Sequence, residues 1–254
     1  TTDPDYFNDR LENGSGLYLD SGVAFDESCC AYAGYTEATC TAVTFQPQTK
    51  AELQTAVDMW VDDNATALAT YGEINTWDVS LITDMSALFS SKLTFNDDIS
   101  NWDVSNVTSM HVMFVNCHAF NQDISNWNVS SVTNMANIFQ NALAFNSDIS
   151  GWNVSSVTSM NGMFANADNF NQDLSEWNVS NVTNMHSVFI WTESFNGDIS
   201  TWNVSSVTTT AEMFMDAISF NQDISGWDVS SVTTFDNTFS GTTSLSEDNK
   251  CTIH

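Results

Sequence analysis

The side chains with the most chemistry to offer are carboxylates set in a strict rhythm. Asp98, Asp123, Asp148, Asp173, Asp198 and Asp223 recur every 25 residues, each with Asn two residues before (Asn96 to Asn221) and Ser two residues after (Ser100 to Ser225). Stacked about 5 Å apart, like charges repel by roughly 1 kcal/mol in water and by more at lower effective dielectric, so the row needs compensation. Two compensations fit. In the first reading each Asp and Asn accepts turn N–H groups; in the second, Ca²⁺ bridges neighbouring units through carboxylate and amide oxygens as metal ligand. A second row, Asp78, Asp103, Asn128, Asn153, Asn178, Asn203 and Asp228, has Ser two residues later in every unit. So monotonous a polar face suits a periodic ligand, such as a polysaccharide, mineral or ice surface, or plain solvation. Variation falls elsewhere: Ile190 and Trp191 replace pairs such as Gln140-Asn141 and Ala165-Asn166, which marks an interaction hot spot.

Catalytic constellations are missing. His111 and His186 share a repeat position three units apart, which places them about 14 Å from each other, too far for one metal ion. No Gly-rich phosphate loop, HExxH or GxSxG string occurs. A uniform array disperses groups that an active site would converge. The expectation is a protein that is not an enzyme and needs no cofactor, Ca²⁺ being the one candidate ion.

The repeat itself positions these side chains. Trp77, Trp102, Trp127, Trp152, Trp177, Trp202 and Trp227 stand 25 residues apart without an insertion, so seven units fill 77–251. The apolar skeleton of the unit at Trp102 begins Ile99, Trp102, Val104, Val107, an L-x-x-L-x-L-x-x-L spacing with Trp102 and Val104 inward on a short strand. It continues as Val107, Met110, Met113, Phe114 and Cys117, spaced by three and four as on one face of a short helix. The expected fold class is therefore an α/β solenoid. Its unit is a leucine-rich-repeat right-handed coil, with a parallel sheet on one face and short helices on the other. Trp, Phe and Met ladders make the core.

Both ends look like caps. Residues 46–76 read as a helical N-terminal cap, with Thr49 opening one helix, Asn64 a second, and Gly72 a stop. The seventh unit decays, with Phe235 for Met and Leu245 for Phe, so 77–254 are seven repeats ending in a degenerate one. Residues 1–45 are a cysteine-bearing leader without a clear period.

The string V-T-S-M-x-x-M-F-x-x-C-x-x-F from Val107 to Phe120 resembles the repeat core of BspA-like leucine-rich-repeat surface proteins, and FNQDISNWNVSSVTNM is similar to their 25-residue subfamily. The resemblance covers residues 72–250. It implies a secreted or cell-surface protein used in adhesion, with other surface proteins as partners and no catalytic residues to transfer. The chain departs from that pattern by having Ala or Thr where the helix Cys recurs, Cys117 excepted.

Charge narrows the partners further. Thirty-two acidic residues against four basic ones give a formal net charge of −28, which repels nucleic acid and anionic membrane surfaces. No apolar run approaches a membrane span, and TTDPDYF is no secretion leader, so any signal is expected to have been removed. Five cysteines suggest an oxidising compartment. Cys29, Cys30 and Cys40 crowd the leader, Cys251 lies at the far end, and an unpaired thiol at each end would allow a head-to-tail homo-oligomer. On a eukaryotic secretory route, glycosylation falls on Asn13 and Asn64, since a fully occupied row from Asn128 to Asn203 would crowd its glycans.

Overall fold

The computed structural model describes residues 44–251. The unit is a chain of tight turns. Between Ile99 and Phe120, N–H groups three residues on donate back: Trp102 to Ile99 O (3.1 Å), Val107 to Val104 O (2.9 Å), Met113 to Met110 O (3.1 Å), Cys117 to Phe114 O (3.0 Å) and Phe120 to Cys117 O (3.1 Å). Because a β-turn brings its first and fourth residues together, apolar residues spaced by three are gathered on the inner side of the coil.

The same segment joins the coils. Met110, Val112, Phe114 and Asn116 donate their N–H groups to the carbonyls of Asn134, Ala136, Ile138 and Gln140 in the next coil, at 3.0, 3.0, 2.9 and 2.8 Å. Four such bonds form at each of the six junctions between 77 and 251, all between 2.7 and 3.2 Å. Each donor's peptide group also supplies the acceptor for the coil before it, so four columns of peptide groups run through the stack with every N–H pointing toward the C-terminal coil. Holding successive N–H groups on one side requires left-handed backbone: φ is 50° at Val112 and 59° at Asn116, and the equivalent positions of every coil are also positive.

This geometry overturns the expected fold class. Among the described residues there is no β-strand, so the α/β leucine-rich-repeat coil with its parallel sheet is absent; neighbouring coils share one parallel bridge each, Asp84 to Ser109 through Thr209 to Thr234. The segment Trp102 to Val104 is too short to pair, because one turn closes on Trp102, another opens at Val104, and Asp103 curls the chain by accepting the Ser105 N–H at 3.0 Å. The short helices expected on the opposite face are absent too. Their N–H groups go to the next coil instead of to carbonyls four residues back.

The core is layered by residue type. Phe89, Phe114, Phe139, Phe164, Phe189, Phe214 and Phe239 stack with centroids 5.3–5.9 Å apart and planes within 4–11°. The buried tryptophans carry a polar hydrogen that must be satisfied. Trp102, Trp127, Trp152, Trp177, Trp202 and Trp227 donate Nε1–H to the carbonyl 28 residues earlier, at 2.8–3.2 Å. Cys117 sits in the small-residue slot and donates Sγ–H to Phe89 O at 2.9 Å, and Thr192 and Thr242 use the same slot to reach Phe164 O and Phe214 O at 2.7 Å. Burial pushes the Cys117 thiol up to about 12.

Two helices precede the first coil. Thr49 caps α1 (Lys50–Asp62) by accepting the Glu52 N–H, and Asp63 caps α2 (Asn64–Tyr71), which ends at Gly72 with φ 73°. α1 buries Leu53, Ala56, Val57 and Trp60, the last packed edge-on to Trp77 with centroids 5.8 Å apart. It also lies over the carbonyl ends of the columns. Gln54 donates to Leu88 O at 2.9 Å, Lys50 pairs with Asp84 at 2.9 Å and Lys92 with Asp58 at 2.8 Å. A short helix α3 (Glu247–Cys251) follows the last coil and carries Cys251 at its end.

The left-handed positions give a direct test. Val112 is β-branched at φ 50°, so Val112→Asn is expected to stabilise by about 1 kcal/mol, raising Tm by about 2–4 °C. Gly162→Ala should do the reverse, because its Cβ would lie 2.1 Å from Asn137 Oδ1. Thermal melting followed by circular dichroism checks both signs.

Candidate functional site

The two acidic and amide rows are turn caps. Asp98, Asp123, Asp148, Asp173, Asp198 and Asp223 each accept the N–H of the Ser two residues on, at 2.8–3.0 Å. The backbone bond from Ser holds the carboxyls of Asp98, Asp148, Asp198 and Asp223 below the usual range, and at Asp123 the Ser125 hydroxyl leads. The like charge of the previous coil opposes this at Asp123 and Asp148 but is the smallest cause at both. Asn96 to Asn196 reach across the junction instead: each Oδ1 accepts the backbone N–H of the next Asn, from Asn121 to Asn221, at 2.8–2.9 Å. In the second row, Asp78, Asp103, Asn128, Asn153, Asn178, Asn203 and Asp228 accept the Ser N–H two residues on at 3.0–3.2 Å. Among the described residues no group of three or more His, Cys, Asp or Glu side chains converges to hold a metal ion. In each Asp of the acid row the backbone engages one carboxylate oxygen, Oδ1.

The monotony breaks on the outer face of the coils that begin at Trp152, Trp177 and Trp202. Ile190 and Trp191 part company there: Ile190 is 5% exposed and belongs to the core, while Trp191 is 49% exposed. The exposed Ile-Trp pair expected from sequence is thus a single exposed tryptophan. It occupies a left-handed position, φ 56°, that elsewhere holds Ser91, Asn116, Asn141, Asn166, Asp216 and Gly241. Asn141 and Asn166 form an amide ladder back to Asn116 at 2.6 and 2.9 Å, and Trp191 ends it by donating forward, Nε1 to Asp216 Oδ2 at 3.2 Å. On the neighbouring column burial, and then the charge of Glu193, raises the Asp168 carboxyl.

A second cluster lies one left-handed position upstream. Ser187 Oγ donates to Glu212 Oε2 at 3.0 Å and lies 2.8 Å from His186 Nδ1, with His186 Nε2 3.7 Å from Glu212 Oε2. His186 and Ser187 are adjacent in sequence but Glu212 comes from the next coil, so only the 25-residue alignment reveals the contact. Among the other predicted residues, Asn64 is exposed at the start of α2, whereas Asn13, Cys29, Cys30 and Cys40 lie outside the described residues.

Fold and surface together define a repeat protein of stacked, turn-built coils, with nearly invariant rows of Asp, Asn and Ser at the turns and an outer face that varies from coil to coil. The chain belongs to the family described as Mycoplasma protein of unknown function, DUF285, which matches residues 57–176 and 145–251. The two matches overlap within the array, as expected when one run of coils resembles the next. Neither a curated protein nor a solved structure is matched by the chain.

Turn capping fixes the response to acid. The folded carboxyls lie below the unfolded value near 4, so their stabilisation is complete above about pH 4 and is lost as pH falls through the folded values. Asp148→Asn should keep Tm at neutral pH, because an amide oxygen accepts the same N–H, whereas Asp148→Ala should lose about 1 kcal/mol, or about 2–4 °C. Melting in EDTA and in CaCl₂ at matched ionic strength is expected to coincide; a Ca²⁺-dependent rise would return the ion to the acid row.

Proposed function

We propose that this chain is a non-catalytic secreted or cell-surface protein that serves adhesion or surface structure by presenting a rigid outer face to other surface proteins. The observation that carries the reading is that variation between the coils falls on the outer face, as at Val112, Asn137, Gly162, Ser187 and Glu212, while the inner ladders stay nearly constant, and that this varied face exposes Trp191 beside acidic neighbours. A scaffold held by four peptide columns can vary those positions without losing its core. The resemblance of the repeat to BspA-like surface proteins supports the location, and the charge of −28 disfavours nucleic acid and anionic lipid as partners. α1 covers the first coil, which argues against a second copy stacking directly on that face.

A second reading, polysaccharide binding, is favoured by one observation. Gly151 stands where neighbouring coils carry Asn126 and Glu176, and its missing side chain opens a shallow notch of about 480 Å³ edged by Asn153, Glu176 and Asn178. Immunolabelling of intact and permeabilised source cells, with the culture medium, tests the main reading. Signal on intact cells or in the medium is expected, and signal only after permeabilisation would contradict it. Co-sedimentation with insoluble glycans, lost in Gly151→Gln, would favour the second reading.

A further inference from the structure

We propose that the outer face around Trp191 docks an arginine-bearing segment of a partner protein, the guanidinium lying on the Trp191 indole and hydrogen-bonding to the Asp216 carboxylate. This rests on the reading of the chain as a presenting surface and names the chemistry of what it presents to.

The aromatic surface is both available and fixed. The other described tryptophans are buried or half-buried and donate their N–H groups to backbone carbonyls or, for Trp60 in the cap, to Asp97 Oδ2, whereas Trp191 exposes half its surface. Its ring is held by the Nε1 bond to Asp216 Oδ2 at 3.2 Å. Asp216 is held in turn, because a Cβ at Gly241 would lie 1.9 Å from Asp216 Oδ1, so the glycine in the next coil makes the room that this carboxylate fills. Oδ2 is engaged by the indole, and no described residue donates a hydrogen bond to Oδ1. An aromatic face beside a positioned carboxylate oxygen is what a guanidinium matches, since it stacks through its plane while its edge N–H groups donate.

Charge points the same way. Glu193 and Asp168 lie on the neighbouring column, close enough for the Glu193 charge to act on Asp168, and among the described residues Glu212 has only His186 as an ionic partner. The lysines with described side chains, Lys50 and Lys92, are committed to Asp84 and Asp58 at the other end of the stack. The cation that answers this patch comes from outside the described chain. A neutral sugar could stack on the indole and donate a hydroxyl to the Asp216 carboxylate, but it would leave the negative charge of the patch unanswered. A lysine ammonium would gain the charge but not the planar stacking.

The test uses the ¹⁵N-labelled full chain at physiological ionic strength, reading the Trp191 indole N–H resonance. The probes are N-acetyl-arginine methylamide, the lysine analogue and a β-linked glucose hexamer, all single small molecules that avoid the bulk attraction of a polycation to an acidic protein. A saturable shift of the Trp191 signal with the arginine probe is expected, weaker with lysine by about fivefold and absent with the hexamer. Asp216→Asn should weaken the arginine response by about fivefold or more, and Trp191→Asn, which restores the residue type of the column, should remove the shifting resonance and so assign it. Unmoved signals from the interior tryptophans show that each variant is folded. No saturable shift, an arginine response unchanged in Asp216→Asn, equal responses to arginine and lysine, or a response to the hexamer alone would overturn the proposal. Each of these leaves the surface location to its own labelling experiment.

Discussion

Everything in this molecule depends on one orientation: four peptide groups per coil stand along the stack axis with their N–H groups toward the next coil, outnumbering the single column from Thr108 to Thr233 that donates back to the coil before. That arrangement explains why the period holds at 25 residues across seven units without an insertion, since a one-residue slip would misplace four junction bonds at once. It also gives the stack a polarity like that of a helix, because aligned amide dipoles add. Carbonyls emerge at the N-terminal face, and there the chain places Gln54, Lys50 and Lys92, two of its four basic residues. N–H groups emerge at the other face, where those of Phe235, Asn237, Phe239 and Gly241 find no acceptor among the described residues.

The core answers the same demand. Because coils meet through turns instead of a sheet, some inward carbonyls have no backbone donor in the next coil, and side chains take that role. This accounts for tryptophan at the head of the six units after the first, where phenylalanine would fill space but leave the carbonyl 28 residues earlier without its donor. It accounts equally for Cys117, Thr192 and Thr242 sharing one slot with alanines. The slot repeats a small side chain with an optional inward donor, which is the part the thiol of Cys117 plays.

Much of this was legible in the sequence, and the reason the rest was not is instructive. The period, the buried ladders and the capping of turns by Asp98 and its equivalents follow from spacing and from the hydrogen-bonding habits of Asp, Asn and Ser. The strand and helix did not follow, because apolar residues spaced by three fit a helix face and a chain of β-turns equally well. The discriminating signal was present in Asn137, Asn141, Gly162 and Asn166, residues that tolerate left-handed backbone at two fixed positions, but Val112 and Trp191 at the same positions concealed it. The Trp191 site was half visible: its exposed indole could be read from the broken pattern, while the burial of Ile190 and the contacts to Asp216 and from Ser187 to Glu212 depend on which coil neighbours which.

The alignment of the peptide columns can be measured directly, through the scalar couplings that pass across hydrogen bonds in NMR. The account predicts correlations from the Asn137 amide nitrogen to the Asn161 carbonyl carbon and from Asn141 to Ala165, bonds of 2.7 and 2.8 Å that join one coil to the next. Correlations from Asn137 back to Thr133, four residues earlier as in a helix, would contradict it.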